Sequence, residues 1–329
     1  MKNLIYILSI VVCLFSCKKE QENRNLIQTT KEKKISLTFN VSDFSQRVEG
    51  VRKGNSLADA PLKDFANYLT YIAYDSDGTE VSRLKQDTSG NTTRIHNPLN
   101  SSGPAEEFAG QQIFGCIKDS LATGEYTIVM VASKKLVSIS NRGEQTLDYT
   151  FEPFNNASFY FNRGLDSWSR ADDTFFKKFS VTVEDKDLQQ KPVLDRIVGK
   201  AEVNILDSKP GTTYRFLFVN ENEAFKFFDE LPFGVTDDID NEERLETVTG
   251  TADLTYSKFI LNTATPVNLI IKVYEGGTLS ASKTIENLRF YKNKRTILTG
   301  NIYSAKSSST AFSVNVNDEF DEETIDVSF

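Results

Sequence analysis

The chain has 329 residues, 39% of them hydrophobic and 26% charged, with a formal net charge of -8. Enough apolar side chain is present to close real cores, which excludes a generally disordered polypeptide. The acidic balance excludes nucleic-acid binding, which calls for clustered Lys and Arg.

The chain opens with Lys2 and an apolar stretch from Leu4 to Phe15. That stretch is too short for a bilayer's hydrocarbon, which takes about 20 residues to cross. It ends as Leu14-Phe15-Ser16-Cys17, followed by Lys18-Lys19-Glu20-Gln21-Glu22. A positive start, a short apolar core and a small residue ahead of a cysteine look like a bacterial lipobox. The likeness implies cleavage between Ser16 and Cys17 and a lipid on the Cys17 thiol, which would tether the mature chain to the outer membrane. The acid-containing segment after Cys17 resembles surface-export signals and points to the cell surface. No second long apolar run follows, so no transmembrane helix is expected. Cys13 leaves with the signal, which leaves Cys116 without a disulfide partner in the mature chain.

Residues Lys18 to Lys34, rich in Lys, Glu, Gln and Asn, read as a tether. From Ile35 to Val41 apolar and polar residues alternate at period two, the mark of a strand with one buried face. Pro61 to Asn67 has Pro at a tolerated first helical position and reads as a turn or two of helix. Tyr68 to Tyr74 is a strand, ended by Asp75-Ser76-Asp77-Gly78, with Thr79 to Leu84 returning as a hairpin. Gly90 to Gly110, rich in Asn, Ser, Gly and Pro, reads as a long surface loop, and Gly124 to Ser133 as a strongly apolar strand.

A second unit is expected near Phe175. Its strands are Phe179 to Val183, Ile197 to Leu206 and, after Lys209-Pro210-Gly211, Thr213 to Val219. Asn222 to Glu230 reads as a short helix with Asn222 as its cap. Strands follow over Ala252 to Leu261, Val267 to Glu275, Ser280 to Ile285, Thr296 to Tyr303, Phe312 to Val316 and Thr324 to Phe329. The 24 Phe and 12 Tyr strengthen the strand reading, since aromatics suit a pleated, half-buried surface. Many short strands at this spacing make a mostly β protein of tandem β-sandwiches. The expected division is a signal peptide at 1–16, a tether at 17–34, one sandwich at 35–174 and another at 175–329.

Little in the chain speaks for catalysis. The single histidine, His96, falls in the polar stretch with no nucleophile-elbow pattern, and reads as a solvated side chain. One His and one thiol do not furnish a zinc site. The acid runs Asp237 to Glu243 and Asp318 to Glu323 lack the spacing of a calcium loop and read as solvated charge, and no cofactor is expected. Trp168, the only tryptophan, could stack on a sugar, but packing at the connection between the sandwiches is the plainer reading.

Two segments carry a more specific likeness. Val193-Leu194-Asp195-Arg196-Ile197-Val198-Gly199-Lys200-Ala201-Glu202-Val203-Asn204-Ile205 resembles the opening strand of the second domain in the fimbrillin family. Tyr291-Lys292-Asn293-Lys294-Arg295-Thr296-Ile297-Leu298-Thr299-Gly300-Asn301-Ile302-Tyr303, with Phe312 to Val316, is similar to that family's final strands. The resemblance implies two tandem transthyretin-like β-sandwiches. It also implies assembly by strand exchange, in which a protease removes the first strand after an Arg or Lys and a partner's strand fills the groove. Arg47, Arg52 and Lys53 follow the first strand where such a cut would fall.

The expectation is thus a non-enzymatic surface lipoprotein, a fimbrial subunit or anchor that assembles by β-strand donation and mediates adhesion. Its partners would be other fimbrial subunits, the outer membrane through the lipid at Cys17, and a host or glycan ligand. The alternatives are a surface glycan-binding β-sandwich lipoprotein and, with no positive motif, a hydrolase using an acid pair.

Overall fold

The computed structural model describes residues 33–41, 43–45, 62–96, 105–139, 151–161, 171–236, 243–246, 253–303 and 312–317. Over these residues the chain is almost entirely β. Its one described helix, α1 (Leu62–Phe65), is a single turn.

The largest sheet has eight strands in the order β2 (Asp43–Ser45), β13 (Val193–Arg196), β11 (Thr174–Val183), β8 (Gly124–Ser133), β3 (Tyr68–Tyr74), β4 (Glu80–Asp87), β5 (Asn91–His96) and β6 (Ala105–Gln111). Neighbours run antiparallel except β2 and β13. Its central strands are apolar on both faces because both faces are covered. Along β8, Ile128, Met130 and Ala132 enter one core while Val129 and Val131 enter another. Likewise Leu69, Tyr71 and Ala73 of β3 face one core, and Ile72 and Tyr74 the other.

One face is covered by a three-stranded sheet, β12 (Leu188–Gln190), β1 (Ile35–Asn40) and β7 (Cys116–Leu121). The other is covered by β17 (Pro232–Thr236), β16 (Glu221–Lys226), β10 (Ser158–Phe161) and β9 (Val137–Ile139). Phenylalanines fill this second core: Phe176 of β11 meets Phe225 of β16 with ring centroids 5.0 Å apart.

Two further four-stranded sheets enclose a third core. One runs β19 (Leu254–Ile260), β14 (Gly199–Ile205), β22 (Arg295–Gly300) and β23 (Ser313–Asn317). The other runs β18 (Glu243–Glu246), β15 (Thr212–Val219), β20 (Val267–Glu275) and β21 (Thr278–Leu288). Ala201, Val203 and Ile205 of β14 face Tyr214, Phe216 and Phe218 of β15 across that core. Phe216 stacks flat on Tyr256 at 4.1 Å.

The mostly β class and the layered sheets match the sequence expectation. Two local expectations do not. The polar stretch Gly90 to Gly110 is no single loop, since it contains β5 and most of β6, paired from Asn91–Gln111 to His96–Ala105. Asn222 to Glu230 is not helical: β16 pairs with both β10 and β17, which buries Ala224 and Phe225. β13 and β11 hydrogen-bond into the large sheet beside β8. The strand expected over Thr324 to Phe329 lies outside the described residues.

Candidate functional site

The period-two alternation of the first strand has a direct structural consequence. Ile35, Leu37, Phe39 and Val41 are 0–4% exposed and belong to the core under the three-stranded sheet. The Phe39 ring lies 5.5 Å from Tyr71 of β3 and 5.9 Å from Phe179 of β11. β1 pairs antiparallel with β7 over its whole length, from Ile35–Leu121 to Asn40–Cys116. On its other side it pairs parallel with β12 through Leu37–Leu188, Thr38–Gln189 and Phe39–Gln190.

β1 is thus the middle strand of its sheet, and the chain leaves it at once for another layer, since β2 pairs with β13 in the large sheet. Each fully buried aliphatic or aromatic side chain contributes about 1.5–3 kcal/mol. Four of them come to roughly 6–12 kcal/mol, comparable to the ~5–15 kcal/mol net stability of a whole domain. Taking β1 away would open an apolar groove flanked by two bare strand edges. Such a surface pairs readily with another strand.

The groove is not wholly apolar. On β7, Ile117, Asp119 and Leu121 face inward. Asp119 Oδ1 accepts from Arg94 Nη2 of β5 at 2.7 Å, and Arg94 Nη1 donates to Ser82 of β4 at 2.7 Å. Burial, and then the charge of Asp119, push the Tyr71 hydroxyl well above the usual tyrosine range. Nothing in the sequence singles out Asp119. It is one acid among 46 Asp and Glu, and its neighbours come from distant strands.

Few of the residues picked out from sequence fall among the described ones. Cys17, Arg47, Arg52, Lys53 and Trp168 lie outside the described residues, as do the acid runs except the backbone of Glu243 in β18. His96 ends β5 and meets Glu107 of β6 at 2.8 Å on an exposed surface. Cys116 is a half-buried free thiol opposite Asn40.

No protein-family model matches the chain, and no curated protein matches it. Solved structures do. The chain is similar to a Bacteroides thetaiotaomicron protein provisionally assigned to polysaccharide binding, at 12% identity and a TM-score of 0.51, covering 87% of this chain and 96% of that one. A provisionally assigned Bacteroides ovatus adhesin matches at 11% identity and a TM-score of 0.46, over 87% and 92% of the two chains. The fimbrial anchor protein Mfa2 of Porphyromonas gingivalis matches at 12% identity and 0.46, over 87% and 98%. The chain has the fold of the Bacteroides thetaiotaomicron protein.

Proposed function

We propose that this protein is a cell-surface lipoprotein that serves as a fimbrial subunit or anchor, held by lipid at Cys17 and joined to other subunits by exchange of β1. The observation that carries the reading is β1 itself. The short segment Ile35 to Val41 supplies four buried apolar side chains, its strand pairs on both edges, and it is followed in sequence by Arg47, Arg52 and Lys53. A cut among these residues would free β1 from the body of the protein, and a partner's strand of the same alternation would fill the groove. The fimbrial and adhesin neighbours support a surface role in assembly and attachment rather than catalysis.

N-terminal mass analysis of the protein recovered from the cell surface tests this. A start at acylated Cys17 identifies an anchor, and a start near Val48, Lys53 or Gly54 in an SDS-resistant ladder identifies a polymerising subunit. Unlipidated monomers with an intact first strand would exclude both.

Glycan binding is the second reading, favoured by the assignment of the Bacteroides thetaiotaomicron neighbour. Retention on polysaccharide affinity gels, abolished by Trp168→Ala, would promote it over strand exchange.

A further inference from the structure

The third core is enclosed by two sheets but stays open along one margin. β21 ends one of these sheets and β23 ends the other. Lys283 of β21 lies 5.1 Å over the ring of Phe312, just ahead of β23, so the two edge strands face each other across the core. Directly opposed residues of neighbouring strands share a face. Val314 stands opposite Leu298, which stands opposite Val203, and both of these are fully buried in the core. Val314 and Val316 therefore lie on the core side of their sheet, yet they are 50% and 40% exposed. Ala281 and Ile285 of β21, opposite Val273 and Leu269, are only partly covered as well. Core-side valines left half in water beside a bare strand edge form a surface that calls for a cover.

We propose that residues 324–329 of the same chain cover this margin as a further strand, antiparallel to β23 on its free edge. Ile325, Val327 and Phe329 alternate with Asp326 and Ser328, so one face of the segment is apolar. With the acid run 318–323 as the connection, Asn317 pairs with Thr324. The ladder then sets Val316 against Ile325, Val314 against Val327 and Phe312 against Phe329, and it leaves Asn315 opposite Asp326 on the outer face. A one-residue slip would set Ile325 and Val327 against Asn or Ser side chains instead. Charge favours the same path. Asn317 leaves β23 beside Arg295, itself opposite Lys200, and Lys292 and Lys294 occupy the turn just before β22. Asp318, Glu319, Asp321, Glu322 and Glu323 follow Asn317 at once, so the connection starts at a basic turn. Arg295 already meets Glu202 at 3.4 Å, and the attraction acts as a local field rather than as one new pair. Exchange of β1 is not needed for this seating, which closes a different core.

Paired substitutions in the full-length protein test the register. Asn315→Cys with Asp326→Cys puts two thiols on directly opposed residues, at a Cα separation of about 4.5–5.5 Å that a disulfide accepts. Asn315→Cys with Val327→Cys is one residue out of register and sends the thiols to opposite faces. Mild oxidation, followed by peptide mapping, should bridge the first pair within one chain and leave the second pair open. Bridges that join two chains would put the segment on a second copy and overturn the seating within one chain. Equal bridging of the two pairs, or none in either, would overturn the register. Hydrogen exchange at the β23 amides reads the cover itself, without any bridge. Val327→Asp should speed that exchange roughly tenfold, the loss expected for one buried apolar side chain, and Asp326→Ser on the outer face should leave it unchanged. Exchange at β23 that does not respond to Val327→Asp would overturn the proposal.

Discussion

Arg196 lays its guanidinium on the carboxylate of Asp173, Nε to Oδ1 at 2.7 Å and Nη2 to Oδ2 at 3.0 Å, with both side chains almost sealed from solvent. The same group stacks 4.8 Å over Phe175 and donates through Nη1 to Asn293 Oδ1 at 2.9 Å. Asn293 sits in the turn before β22 with a positive φ of 55°, and its N–H is held by the Val198 carbonyl. One side chain therefore fixes the end of β13 in the large sheet to the turn that starts a strand of the third core. Burial raises the Asp173 carboxyl above its ordinary range even though Arg196 pulls it down.

Removing one partner of such a pair strands a buried charge. Arg196→Met should lower the unfolding free energy by about 3–5 kcal/mol in urea titrations, and adding Asp173→Leu should restore part of the loss. A single variant as stable as the parent would show that the pair is solvated in solution.

Glu221 predicts a pH dependence. Its carboxylate, at the start of β16, accepts the Leu261 N–H at 2.6 Å and is fully enclosed. Burial pushes it from 4.5 up to about 7, against the opposing pull of Lys258. The folded state then holds its proton more tightly than the unfolded chain. The contribution is present below pH ~4.5 and is lost as pH rises through about 7, by on the order of 3 kcal/mol. Glu221→Gln keeps the Oε1 acceptor without the charge, so it should exceed the parent in stability at pH 8 and converge with it near pH 4.5. Parallel stability curves for the two proteins would refute the assignment.

How far the chain was legible follows from where each segment's signal comes from. Tyr68 to Tyr74 and Gly124 to Ser133 coincide with β3 and β8, because strands buried on both faces carry an apolar run that needs no context. β16 reads as helical in sequence because Asn-Glu-Asn-Glu-Ala has the composition of a capped helix start, while pairing with β10 and β17 decides otherwise. In the stretch from Gly90, the run Thr92-Thr93-Arg94-Ile95 carried a β-branched signal that the neighbouring Asn, Ser, Gly and Pro obscured. The alternation of β1 was plain. Its polar counterpart at Asp119 was not, since that role exists only through the β1–β7 register and an arginine from β5.

Phe39 is the packing anchor of β1. Phe39→Ala leaves a hole between Tyr71 and Phe179 and should cost about 3–5 kcal/mol, whereas Ser36→Ala on the exposed face of the same strand should be nearly silent. Hydrogen exchange read at the β1 amides should accelerate in the first variant and not in the second. Equal exchange in both would mean that the strand is held by its hydrogen-bond ladder rather than by its side chains.

Gly115 guards the far end of that strand. Its φ of +94° lies in the region that side chains avoid, and its carbonyl accepts the Val41 N–H at 2.8 Å. Its own N–H donates to the buried Gln86 Oε1 at 2.7 Å, which fixes the turn into β7. A Cβ added there would stand 2.8 Å from the Val41 carbonyl oxygen and 3.3 Å from Leu62, so Gly115→Ala meets both backbone strain and a clash with the chain leaving β1. Gly211→Ala isolates the first effect, since its φ is +73° and nothing lies within 4 Å. Gly211→Ala should cost about 1 kcal/mol, and Gly115→Ala clearly more, on the order of 2–4 kcal/mol with faster proteolysis after β1. If the two variants lose the same stability, the clash is relieved by a small shift and the end of β1 is free to move away from β7 without Gly115 to hold it.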